Sequence, residues 1–138
     1  MSINYRAASG RHLHDGRLLL GEQRSANADH LFGLSAECSL KAVMEALGMK
    51  MKADGSAPVD RGHKVHMPAL WAAFQSFARG QLEARYVTPL DHGNPFSNWK
   101  IDQRYWDESD IPRDVAEHER AAAQCVESME ALIFDGVW

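Results

Sequence analysis

The strongest constraint on this chain lies in residues 27–47, where ADHLFGLSAECSLKAVMEAL runs up to Gly48. At 100° per residue, Leu31, Leu34, Cys38 and Ala42 make one apolar face of a helix. Phe32, Ala36, Leu40, Val43 and Leu47 make a second. Ser35, Ser39 and Ala46 lie between them as a strip of small residues suited to close helix packing. His30, Glu37 and Lys41 occupy the sector that remains. A helix apolar over so much of its circumference belongs at the centre of a bundle, with its polar stripe only partly solvated. Asn27 or Ser25 is available to cap it, and Gly48 to end it.

The other segments supply neighbours for that helix. Residues 3–22 read as a helix with Tyr5, Ala8, His12 or Leu13, Leu19 and Leu20 roughly on one face. Its interior Gly10 and Gly16 each cost about 1 kcal/mol relative to Ala and offer room for close approach. Residues 48–66 form a long loop carrying Lys50, Lys52, Arg61, His63, Lys64 and His66. Residues 67–79 read as a short helix, with Pro68 in its first turn and Leu70, Phe74 and Phe77 at helical spacing. Residues 80–109 are irregular, broken by Pro89, Gly93 and Pro95, and partly helical in FSNWKIDQRYW with Ser97 as its cap. Residues 111–134 form the last long helix, capped by Asp110 and stopped by Gly136, with Val115, Ala122, Val126, Met129 and Ile133 on its apolar face. No segment alternates with period two. The expected fold is all-α, an up-and-down bundle of four to five helices in a single domain over residues 1–138.

Charge narrows the function classes. Fifteen Lys and Arg against nineteen Asp and Glu give −4, which argues against a constitutively basic nucleic-acid binder. Residues 1–69 hold nine basic and seven acidic side chains, and residues 70–138 hold six and twelve, so the acidity belongs to the second half. Cys38 and Cys125, the only cysteines, are too few for a zinc-finger set and read as buried free thiols. The longest purely apolar run, Leu18-Leu19-Leu20, is far too short to cross a bilayer, and Arg6, His12, His14 and Asp15 interrupt any signal-peptide core. The expected setting is cytoplasmic, with no membrane partner.

AECSLKAVMEALG resembles the recurrent core of the HEPN superfamily, where a small residue and Glu precede Leu-Lys-Ala and a Gly ends the helix. GHKVHMPALW resembles the Gly-His segment that leads into that superfamily's next helix. Gln103-Arg104-Tyr105 stands before the last helix, as an Arg-Tyr pair does there. The order covers roughly residues 5–133. The resemblance implies a bacterial helical-bundle module that is a homodimer or works beside a nucleotidyltransferase, in toxin–antitoxin pairs, defence or RNA processing. It implies an RNA or nucleotide ligand; no cofactor is expected.

Two sets of residues carry candidate chemistry. HEPN ribonucleases carry an Arg, a few intervening residues, then His; here Arg113-Asp-Val-Ala-Glu-His118 has four between. The resemblance implies metal-independent RNA cleavage, with His118 as general acid or base, Arg113 on the phosphate and Asp114 orienting the imidazole. Against it, Arg61 and His66 repeat the spacing, Arg113 has Glu117 within reach on the helix surface, His118 lies at the edge of the apolar face where a satisfied packing histidine would sit, and the surrounding acids repel phosphate. The second set is the polar stripe of His30, Glu37 and Lys41, joined by His63, Arg104 and Tyr105. It reads either as a nucleotide or anion pocket or as a structural network that fixes helix register. His63 and His66 with Asp60 are too sparse a set to favour a metal, and none is expected. Phe96, Trp99, Tyr105 and Trp106 interleave with Lys100 and Arg104, a pattern that either stacks bases or covers a bundle end.

Overall fold

The computed structural model describes residues 2–79, 81, 90 and 92–135. Four α-helices, α1 (Tyr5–Gly21), α2 (Ser25–Ala46), α3 (Ala69–Ala78) and α4 (Val115–Phe134), pack into an all-α bundle. Short 3-10 turns at Arg61–His63, Ile101–Tyr105 and Glu108–Asp110 punctuate the connections. The expected break at Pro89 and the stop at Gly136 lie outside the described residues.

Helix α2 is the central element, as its circumference requires. Ala28, Phe32, Ala36, Leu40 and Met44 have no exposed surface, and Val43 has almost none. Against α1 the small-residue strip does the packing. Ser35 Oγ donates to the Ser9 carbonyl at 2.9 Å, and Ser39 Oγ donates to the Ser35 carbonyl at 3.0 Å. Ser9 Oγ then donates to Ser39 Oγ at 2.6 Å. These hydroxyls are buried but satisfied, so the two backbones approach without an orphaned donor. Gly16 completes the seam: a Cβ there would stand 2.7 Å from the Phe32 ring. The other interior glycine, Gly10, faces open space and plays no part in the contact.

Helix direction follows from the contacts. Arg6 pairs with Glu130 at 2.8 Å and Arg17 with Glu119 at 3.4 Å, so α1 and α4 run antiparallel. The Ser9–Ser39 and Gly16–Phe32 contacts make α1 antiparallel to α2 as well. Helices α2 and α4 are therefore parallel, and their N-termini share one end of the bundle.

All four helix starts differ from expectation, α3 beginning at Ala69 with Pro68 at its cap position rather than in its first turn. Asn4 caps α1, its side chain accepting from the Ala7 N–H at 3.0 Å. Helix α2 begins two residues early, after Arg24, and neither Ser25 nor Asn27 caps it. Helix α4 begins at Val115 rather than at residue 111; Asp110 sits in the preceding 3-10 turn, and Asp114 takes the cap position without a capping bond. The reason is tertiary, since the Asp114 side chain is held by Asn98. Both cysteines are free thiols; burial pushes Cys38 up to about 11 and Cys125 up to about 12, which keeps them unreactive. Among the described residues no helix is long and apolar enough to cross a membrane.

Candidate functional site

The parallel N-termini of α2 and α4 face each other across a cleft of about 550 Å³. Arg24, Ser25, Ala26 and Asn27 line one side, with Ile111, Pro112, Arg113 and Val115 on the other. Glu108, from the 3-10 turn before α4, is the one acidic residue of the lining. Neither helix start has a side-chain cap, so first-turn N–H groups of both are left without a capping acceptor. The positive ends of two helix dipoles and two arginine residues thus line one cleft. Arg24 and Arg113 make no ion pair among the described residues, whereas Arg6 and Arg17 on the bundle's side do.

A buried polar network lies one turn below the cleft and locks its two walls together. His118, on α4, and Asp29, on α2, have 0% and 1% of their surface exposed. The His118 ring donates from Nδ1 to Asp29 Oδ1 at 2.5 Å. Its Nε2 faces Asn98 Oδ1 at 3.0 Å. The Asn98 amide nitrogen donates to Asp114, which leaves Oδ1 as the atom turned toward the ring. Both ring nitrogens are therefore engaged, one by a carboxylate and one by an amide oxygen. Asp29 Oδ2 accepts from Gln103 Nε2 at 2.8 Å, and the Asp29 carbonyl accepts from Trp99 Nε1 at 3.1 Å. Phe96 stacks on the His118 ring at 5.0 Å between centroids. Segment 96–103 is in this way tied to both helices.

The structure separates the residues of the expected Arg–His pair. Arg113 lines the cleft, while His118 points into the core with both nitrogens engaged. Asp114 reaches the imidazole only through Asn98. Asp29 and Asn98 carry no signal in the sequence because a lone polar residue in a helical pattern looks the same whether it caps, solvates or pairs 89 positions away.

The six residues of the polar-stripe pocket are not gathered at one cavity. His30 and Lys41 are 11 positions apart on α2, about 16 Å along its axis. Glu37 is buried and accepts from the Met67 N–H at 2.7 Å and from His66 Nδ1 at 3.1 Å, so it fixes the start of α3 rather than pairing with Lys41. Lys41 instead lies 5.9 Å from the Tyr5 ring centroid. His63 packs edge-on against Phe77, near Asp60. Arg104 stacks over Tyr105, whose ring is 77% exposed. Among the described residues no three His, Cys, Asp or Glu side chains are placed to hold a metal.

His30 stacks on Trp99, and its Nδ1 is buried without a partner. Burial, aided by repulsion from Arg104, pushes its pKa below the ordinary 6.5. The folded state thus favours the neutral ring, and the unfolded chain takes up the proton more readily. The stability this contributes is present above pH 6.5 and is lost as the pH falls below it. His30→Phe keeps the stack and removes the proton site. Its unfolding free energy in urea should stay within about 1 kcal/mol of the parent at pH 7.5. It should lose less than the parent between pH 7.5 and 5.5; an equal loss would contradict the assignment.

Comparison with protein-family models, curated proteins and solved structures finds no match to this chain.

Proposed function

We propose that this chain is a HEPN-like binding module whose ligand carries a phosphate group, held in the cleft between the N-termini of α2 and α4. One observation carries the reading: two arginines without ion-pair partners among the described residues line the cleft where two uncapped, parallel helices begin. Helix N-termini and arginines are the two commonest phosphate donors in proteins, and here the fold brings both together. The HEPN resemblance of AECSLKAVMEALG and its RNA- or nucleotide-associated roles point to the same ligand chemistry. Burial of His118 favours binding over cleavage, because a general acid–base group must reach the phosphodiester. The setting the resemblance implies is the bacterial cytoplasm, in defence or toxin–antitoxin systems, as a homodimer or beside a nucleotidyltransferase. Exposed Trp106 and Phe134 supply apolar surface for either partner.

Inorganic phosphate titrated into the 15N-labelled protein is expected to shift the amide signals of Ser25–Asn27 and Val115 selectively and saturably. Arg24→Ala and Arg113→Ala should each weaken that binding about tenfold while the circular dichroism stays unchanged. Uniform, unsaturated shifts across the chain would sink the proposal.

A further inference from the structure

We propose that residues 96–105 form a strap that acid releases from α2, the trigger being proton uptake by His30. The device is independent of what the cleft binds.

Three side chains hold the strap down. The Trp99 ring is fully buried, fills the space that Gly33 leaves, and donates to the Asp29 carbonyl at 3.1 Å. Gln103 Nε2 donates to Asp29 Oδ2 at 2.8 Å, and Phe96 stacks on the His118 ring. Two of these anchors fall on Asp29 and Gly33, so the residues beside them on α2 decide whether the strap stays in place. His30 follows Asp29, and its ring lies flat on the Trp99 indole, 5.6 Å between centroids and 16° from parallel.

The surroundings of the His30 ring suit one proton and not two. Its Nδ1 is buried and has no hydrogen-bond partner. A neutral imidazole meets this by carrying its proton on Nε2, whereas an imidazolium must donate from both nitrogens. A buried donor of a charged group left unpaired is costlier than an unpaired acceptor of a neutral one. The carboxylate that faces the ring is Asp29, and its two oxygens are taken by His118 and Gln103. What relieves the second proton is movement of the ring, and the flat contact on Trp99 carries that movement to the strap.

Charge adds to this. Arg104, on the strap itself, repels a cation at His30, and so does His12 from α1; Asp29, on α2, attracts it. Burial is the larger cause, and it holds both His30 and His12 below the ordinary 6.5. With the strap open, His30 loses Trp99 and Arg104 as neighbours and regains water, so its proton affinity rises toward the ordinary value. The closed strap is therefore favoured above pH 6.5 and loses ground as the pH falls below it. Release also parts Gln103 from Asp29 and Phe96 from His118, the contacts by which the strap joins α2 to α4.

Amide hydrogen exchange of the full chain at pH 7.5 and 5.5, corrected for the intrinsic rate at each pH, tests this. Protection of residues 99–105 should fall about fivefold or more at pH 5.5, while the α1–α2 seam around Ser35 and Ser39 changes less. His30→Phe keeps the stack and takes no proton, so its strap should be equally protected at both pH values. Arg104→Gln changes an exposed side chain and should fold as the parent does. It should shrink the fall, because less repulsion opposes the proton in the closed state. An equal fall in His30→Phe would overturn the proposal. So would a parent strap whose protection is the same at both pH values, the result expected if the ring flips and brings Nδ1 to water. A fall spread evenly over the bundle would assign the acid effect to global unfolding and refute the strap.

Discussion

His118→Ala is expected to destabilise the protein by about 3–5 kcal/mol, read as a fall in the guanidinium unfolding midpoint at unchanged slope. The substitution leaves the Asp29 carboxylate buried at 1% exposure, with Gln103 and the Trp99 indole still beside it but its His118 partner gone. Most of the loss is that uncompensated charge, not the bond itself. Asp29→Ala should cost a similar amount, since it strands the imidazole. The double variant should lose clearly less than the sum of the two, with a coupling of roughly 1–3 kcal/mol. Small, additive losses would show that the pair does not hold the bundle end. The same variants loosen the contact between α2 and α4 one turn below the cleft, so amide exchange at Ser25–Asn27 and Val115 should accelerate before the rest of the bundle does.

Gly33→Ala should cost about 3 kcal/mol, although Ala is the better helix former by about 1 kcal/mol. A Cβ at Gly33 would stand 2.0 Å from Trp99 Cε2 and 2.3 Å from its ring nitrogen. The indole cannot retreat easily, because it is fully buried and donates to the Asp29 carbonyl. Trp99→Leu should therefore be less harmful in the Gly33→Ala background than in the parent. Stabilisation by Gly33→Ala, as propensity alone would give, would refute the notch.

The apolar circumference of residues 27–47 was enough to place a helix at the centre of a bundle, and α2 is that helix. The strip of Ser35 and Ser39 marked the close approach of α1. Helix existence was legible because burial imposes a period of 3.6 on every helix that packs. Helix starts were less so. Ser25, Asn27 and Asp110 are good caps by residue type, yet α2 and α4 use none of them. Asp114 was legible as a polar neighbour of His118, but its use, holding Asn98, depends on a segment 16 residues away.

Helix number, the central place of α2, the inert thiols and the uneven charge follow from the amino-acid sequence alone, because each is a local or summed property of residue types. The tertiary structure decided what Arg113 and His118 do. Five positions apart on one chain, they are turned by the helix start between them, one into an open cleft and one into the core. Only the packing of α2 against α4 places Asp29 within 2.5 Å of His118 and Arg24 across from Arg113. A long-range pairing of polar groups leaves no periodicity to read, since each member is satisfied by a partner that chain topology alone brings near.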